Sequence, residues 1–88
     1  MTYKVHIDRQ AVKEIKSLDK PTIKRIDDRI AELAVNPYDN RISELIKMGI
    51  GDRKSRVGDW RIIFEIDYDQ MIITILAVKH RRLAYPKQ

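Results

Sequence analysis

The spacing of hydrophobic residues changes near residue 53, from helical to alternating. Before that point, apolar residues three and four apart predict two helices that bury one stripe each. Asp8 can cap the first helix, and the Asn36-Pro37 pair ends the second. The two stripes are Ala11, Val12, Ile15 and Leu18, then Ile23, Ile26, Ile30, Leu33 and Ala34. A short alternating segment over residues 2–7 predicts a first strand.

After residue 53 the alternation predicts three strands. Gly58-Asp59 lies between Val57 and Trp60, and Gly at the first central position suits a type II′ hairpin turn. That turn pairs Val57 with Trp60, Arg56 with Arg61, and Lys54 with Ile63. Residues 71–78 read as a central strand, and the chain from His80 onward as a short turn or helix. Residues 38–51 indicate only a segment lying across the core.

The element order βααβββ predicts an α+β fold, in which a helical hairpin covers one face of a small antiparallel sheet and a short C-terminal helix follows. With 88 residues we expect a single domain, 1–88. The chain has no Cys, which excludes disulfides and thiolate zinc sites. No histidine pair has a metal-ligand spacing and no Gly-rich phosphate loop occurs, so we expect neither metal nor cofactor. No signal-like or membrane-spanning run is present, so a cytoplasmic protein is expected.

The basic charge is concentrated in the second half of the chain. Residues 1–52 hold ten Lys/Arg and nine Asp/Glu, whereas residues 53–88 hold eight and four. A basic surface of this kind favours a nucleic acid or an acidic protein segment as partner, although it can equally be an ordinary solvated surface.

The predicted register places Arg56 opposite Arg61, with Lys54 beside them, on the face away from the helices. Like charges opposite one another repel, so this arrangement is better explained by binding of phosphate or of an acidic partner than by stability. We expect the repulsion to be unrelieved within the chain and Arg61 to make no core contact. Because clustering disfavours a charged ammonium, Lys54 could act as a general base. Alternatively, these side chains simply extend into water.

The C-terminal segment adds further candidates. Arg81 could stabilise charge on a phosphate, and Tyr85 could stack on an unpaired base or fasten the C-terminus to the core. His80 is of the residue type that titrates near neutrality, so it is a candidate for proton transfer. Arg53, Arg56, Lys79 and Arg82 are expected to contact RNA.

The segments Lys54-Ser-Arg-Val-Gly-Asp-Trp-Arg-Ile-Ile-Phe-Glu-Ile66 and Val78-Lys-His-Arg-Arg-Leu-Ala-Tyr85 together resemble the RelE/ParE toxin superfamily, in particular its RelE branch. The resemblance implies a toxin of a type II toxin–antitoxin system, a metal-independent endoribonuclease that cuts mRNA in the A site of the 70S ribosome. It also implies a small RelB-like antitoxin, acidic or amphipathic, that joins the toxin in a hetero-oligomer.

Carried over by position, the resemblance gives roles to five residues, among them Arg56 as a supporting phosphate contact. Lys54 activates the nucleophile or holds the phosphate, and Arg61 stabilises the transition state. Arg81 acts as acid or charge stabiliser for the leaving oxygen, and Tyr85 stacks on a base. Asp52 stands where some members have a second lysine, and His80 has no counterpart in those members, which leaves the general base open between Lys54 and His80.

Two other functions share this resemblance. A ParE-like toxin would inhibit DNA gyrase by protein contact and cleave no RNA. A non-catalytic homologue would act with its antitoxin as a DNA-bound co-repressor.

Overall fold

The computed structural model describes residues 2–47 and 51–83. Strand β1 (Lys4–Ile7) is followed by helices α1 (Arg9–Lys16) and α2 (Lys20–Val35). Strands β2 (Glu44–Leu45), β3 (Arg53–Val57), β4 (Trp60–Asp67) and β5 (Ile72–His80) complete the order. Neither helix is long and apolar enough to cross a membrane.

The first helix begins and the second helix ends where the sequence predicts, whereas α1 ends before Leu18 of its predicted stripe. Asp8 and Asp19 occupy the N-cap positions in extended conformation, although neither side chain makes a capping hydrogen bond. Pro21 lies in the first turn of α2, where its missing N–H removes no helical hydrogen bond. Asn36, before Pro37, is extended and ends the helix.

The five strands form one sheet in the order β1-β5-β4-β3-β2. The predicted α+β class is confirmed, but the sheet is mixed, because β1 runs parallel to β5. Strand β2, which the sequence did not predict, pairs with β3 and forms the other edge. Residues 81–83 form a turn, and the remainder of the predicted C-terminal helix lies outside the described residues.

Both helices contribute to a core on one face of the sheet. The buried cluster joins Ala11 and Ile15 of α1 to Ile26, Ile30 and Leu33 of α2 and to inward residues of the strands, which are Val57, Ile62, Phe64, Ile73, Ile75 and Val78. Removing this much apolar surface from water is the main favourable term in folding. We call the opposite face of the sheet the outer face.

The centre of the outer face is covered rather than open. Ile63 and Ala77 are both buried there. Gly51 has a φ of +82° and lies so close that a Cβ would be 2.7 Å from Ile63 Cγ2. Glycine is therefore required at this position for both backbone conformation and space. Gly51 thus lies against the outer face, whereas Ile42, earlier in the predicted segment, packs against the core.

Candidate nucleic-acid interface

The β3–β4 hairpin fixes the arrangement of the candidate site. Gly58 has a φ of +59°, while Asp59 does not have a positive φ, as a type II′ turn requires. The pairs Val57–Trp60, Arg56–Arg61 and Lys54–Ile63 are those that the sequence predicts. Strand β5 adds Lys79 opposite Arg61. Arg56, Arg61 and Lys79 therefore stand abreast on three neighbouring strands, about 5 Å apart at the backbone.

Arg61 is buried, with only 9% of its surface exposed. Its Nη1 donates to the carbonyl oxygens of Gly58 at 2.8 Å and Trp60 at 2.9 Å. Arg61 was expected to make no core contact; it is instead buried, and its guanidinium holds the hairpin turn. Among the described residues its buried Nε has no hydrogen-bond partner.

The like-charge repulsion in this row is offset by carboxylates from distant parts of the chain, contrary to the expectation that it is unrelieved. Glu44 of β2 lies 3.0 Å from Arg56 Nε. Glu14 of α1 lies 2.5 Å from Lys79 Nζ, and its other oxygen accepts a hydrogen bond from Val78 N at 2.9 Å. Glu14 thus provides partners for the backbone N–H of Val78 and the ammonium of Lys79, in the part of β5 that extends beyond its pairing with β1.

Lys54 lies on the outer face between Glu44 and Ile63 in the strand register, and it is half-buried. It is two residues from Arg56 along β3, so the two cations share this face. The structure therefore brings together Lys54, Arg56, Arg61 and Lys79.

Arg81 follows β5 and remains beside the hairpin turn. Its backbone N donates to Asp59 O at 2.7 Å, and its Nε lies 3.7 Å from Asp59 Oδ1. Both side chains are more than half exposed, so the guanidinium can exchange partners at low cost. We call Lys54, Arg56, Arg61, Lys79 and Arg81 the basic end of the outer face.

His80 lies on the opposite side of the sheet from this group. It is paired with Trp60, and the two rings meet edge to face with centroids 5.4 Å apart. The expectation that the turn or helix starts at His80 is wrong, since β5 extends through residue 80, and alternation from the buried Val78 turns the His80 side chain toward the helices. This orientation depends on a β-bulge between Ile63 and Phe64, which shifts the β4–β5 register by one residue.

Arg53 also lies on the helical side. Its Nε donates to Ser43 Oγ at 2.6 Å, and its guanidinium carbon is 5.5 Å from the centroid of the Tyr38 ring. Arg82 is exposed, and its backbone N donates to His80 Nδ1 at 3.4 Å. Tyr85 lies outside the described residues, so its predicted stacking role is not tested.

The other end of the outer face is acidic, which the sequence analysis did not anticipate. An open depression of about 540 Å³ is lined by Asp52, Glu65, Asp67 and Asp69, together with Ile66, Tyr68, Ile72 and Thr74. We call these four carboxylates the acidic end. Within residues 2–47 and 51–83, no group of three or more Asp, Glu or His side chains is arranged to hold a metal ion.

Comparison with known proteins defines the class of this molecule. The model of a family described as the ParE toxin of the type II toxin–antitoxin system parDE matches residues 5–85. A type II toxin is therefore the class that fold and sequence define. The chain belongs to this family within the RelE/ParE superfamily, and its relatives place it on the RelE-like branch.

The relatives support that placement over the full fold. A curated protein from Methanocaldococcus jannaschii named putative toxin RelE1 is 25% identical over 97% of both chains. The toxin fold in the archaeal RelE–RelB complex from Pyrococcus horikoshii has a TM-score of 0.80 and 30% identity, covering 96% of this chain and 100% of that one. The RelBE2 complex of Mycobacterium tuberculosis also gives a TM-score of 0.80, at 22% identity over 92% and 100% of the two chains, and so shows the fold alone.

Proposed function

We propose that this toxin is a cytoplasmic endoribonuclease that cuts mRNA in the ribosomal A site without a metal ion. One observation carries the proposal: three cations stand abreast on neighbouring strands, with Arg81 beside them at the hairpin turn. A phosphodiester is the ligand that such a row binds best, because several guanidinium and ammonium donors can share its negative oxygens.

The reaction is an attack by a ribose 2′-hydroxyl on the adjacent phosphorus. Lys54 takes the hydroxyl proton, the new P–O2′ bond forms, and the P–O5′ bond breaks. Arg56 and Arg61 stabilise the negative charge on the phosphoryl oxygens. Arg81 stabilises the charge that develops on the departing 5′ oxygen, which takes a proton from solvent water and leaves as a hydroxyl. The products are a 2′,3′-cyclic phosphate and a free 5′-hydroxyl. Lys54 is preferred over His80 as base because His80 faces the helices.

The ion pairs within the basic end do not prevent RNA binding. The Arg56–Glu44 and Arg81–Asp59 pairs join side chains that are 44–65% exposed. Exposed pairs of this kind contribute about 0–1 kcal/mol, so a phosphate with more negative charge can displace the carboxylates. Arg61 is different, because its carbonyl bonds hold it in place before RNA arrives.

We also propose that a RelB-like antitoxin binds this chain. Solved relatives from Pyrococcus horikoshii and Methanococcus jannaschii are RelB–RelE complexes. An acidic or amphipathic antitoxin segment lying over the basic end would compete with RNA for the same cations.

The test is cleavage of a defined mRNA on programmed 70S ribosomes by the purified chain, with a chelator present. We expect cleavage at the A-site codon and a 2′,3′-cyclic phosphate end. Intact mRNA, with an active ribosome confirmed by translation, would contradict the proposal.

The second candidate is inhibition of DNA gyrase by protein contact, favoured by the match to a family model named for the ParE toxin. A supercoiling assay with purified gyrase separates the two functions. Loss of supercoiling activity together with intact ribosomal mRNA would favour this second candidate.

A further inference from the structure

The hairpin turn is surrounded by arginines from three elements, not only from the sheet. Arg61 of β4 bonds Gly58 O, and Arg81 beyond β5 bonds Asp59. From α2, Arg25 lies directly against the turn: a Cβ at Gly58 would be 3.0 Å from Arg25 Nη2 and 3.3 Å from Arg25 Nη1. The absence of a side chain at Gly58 leaves the space that this guanidinium occupies.

Arg29 lies one helical turn after Arg25 and also faces β3. Its Nη1 donates to Arg56 O at 2.7 Å and to Ser55 Oγ at 3.0 Å. Like charges four residues apart destabilise a helix slightly, so this pair is not explained by helix formation. Arg29 has Glu32 as a partner at 3.2 Å.

Arg25 differs from the other arginines around the turn in its pairing. Arg56 and Arg81 each have a carboxylate beside them, and Arg61 has two carbonyl oxygens. Within residues 2–47 and 51–83, Arg25 has no hydrogen bond or ion pair, and its side chain is exposed. The nearby Asp28 is bound instead by Lys24, at 3.3 Å.

We propose that Arg25 and the Gly58-Asp59 turn form an additional phosphate-binding position, which guides single-stranded RNA from the basic end around the hairpin toward α2. The ligand is a phosphodiester group next to the one that is cleaved. Arg25 supplies an exposed guanidinium fork, and the absence of a side chain at Gly58 lets that fork lie directly against the turn, next to the basic end. This inference rests on the proposed RNA-cleaving function.

The experiment measures binding of a short single-stranded RNA to the full-length chain by fluorescence anisotropy over a range of salt concentrations. Arg25→Gln should weaken binding about three- to tenfold, and the slope of log affinity against log salt should fall by about 0.7, as expected for one lost phosphate contact. Arg25→Lys should recover part of the affinity, because it keeps the charge but not the fork.

Lys24→Gln is the matched control. It removes the same charge from the adjacent residue, which is 77% exposed and pairs with Asp28 away from the turn. Its salt slope should match that of the wild type. Equal effects of the two substitutions would show general charge attraction and would overturn the proposed position.

Three further results would also overturn it, and the last of them would contradict the proposed function as well. If Arg25→Gln binds RNA like the wild type but binds an acidic antitoxin segment more weakly, the position is a protein contact. If the wild type cleaves mRNA on ribosomes and Arg25→Gln has unchanged RNA affinity, this inference fails while the proposed function stands. Absence of RNA binding and cleavage by the wild type would contradict both.

Discussion

The two ends of the outer face are built on the same strands but carry opposite charge. At the β3–β4 turn, Arg61 lies in a row of cations, whereas six residues along β4, near the next turn, Asp67 lines an acidic depression. The two positions are about 20 Å apart along the strand, which exceeds twice the screening length of about 8 Å at physiological salt. Each end therefore presents its own potential to a partner. The alternation of residues along the strands does not distinguish the two ends. The sign of their charged side chains does.

The two ends also differ in how they are held. The basic end is fixed by bonds that join the turn to Arg61 and Arg81. The acidic end lies beside a turn in which Gln70 N donates to Asp67 Oδ1 and Met71 has a φ of +55°. A preorganised group of donors is what stabilisation of a transition state requires, which favours the basic end as the reacting site.

The largest effect is expected from Arg61→Ala. It should abolish growth inhibition and lower the free energy of unfolding by about 2–4 kcal/mol, because the turn carbonyls lose a buried charged donor and a cavity forms. Growth assays and urea denaturation measure the two effects. The control is Arg56→Ala, which removes an exposed ion pair and should cost less than about 1 kcal/mol. An unchanged unfolding free energy in Arg61→Ala would disprove its role in holding the turn.

A matched pair of charge removals compares the two ends directly. Arg81→Gln should slow single-turnover cleavage about 100-fold, the usual loss when one donor to a developing charge is removed. Asp67→Asn removes one charge from the acidic end and should change the rate by no more than about twofold, since screening separates the two ends. Equal losses of cleavage rate in both variants would show that the whole outer face contributes to cleavage.

His80→Ala tests the helical side of the same hairpin. We expect cleavage within about threefold of wild type, because His80 points away from the basic end, and a loss of about 1 kcal/mol in stability from the missing contact with Trp60. Cleavage rates over a range of pH and thermal unfolding provide the measurements. A tenfold slower rate with a shifted pH profile would show that His80 takes part in the cleavage reaction.

The smallest effect concerns Asp39, which lies at neither end. Arg41 donates hydrogen bonds to its carboxylate and lowers the pKa of Asp39 from 3.8 to about 2. Because the pKa is lower in the folded chain, the stabilisation is complete above about pH 4 and is lost as the pH falls toward 2. Asp39→Asn should remove this part of the pH dependence in denaturation measured between pH 5 and 2. An unchanged pH dependence would contradict the contribution of this pair.

Local signals in the sequence were sufficient for the hairpin and the helices. Gly58-Asp59 fixes the register of β3 and β4, because a two-residue turn leaves one pairing. The parallel pairing of β1 with β5 and the short strand β2 depend on contacts between distant segments, which periodicity does not reveal. The same limit applies to Glu14 and Glu44, whose positions beside Lys79 and Arg56 arise only when the chain folds.

Burial of Arg61 was also beyond the sequence pattern. Alternation places it correctly on the outer face, but the guanidinium turns back to the carbonyls of its own hairpin. The side on which His80 lies was also beyond the sequence pattern, because a β-bulge between Ile63 and Phe64 shifts the β4–β5 register by one residue. Strict pairing from the other end of the ladder would place Lys79 opposite Trp60 and turn His80 to the outer face. The acidic end could have been predicted from the positions of Glu65, Asp67 and Asp69 in the sequence.

Cross-linking from the two turns tests most directly which end of the outer face holds RNA. A photoreactive amino acid is placed at Asp59, in the turn of the basic end, or at Asp69, in the turn of the acidic end, and each protein is bound to programmed ribosomes that carry labelled mRNA. Both positions are exposed turn residues, so they are matched in access. We predict a cross-link to the A-site codon from position 59 and none from position 69. A cross-link from position 69 alone would contradict the assignment of the basic end as the RNA site.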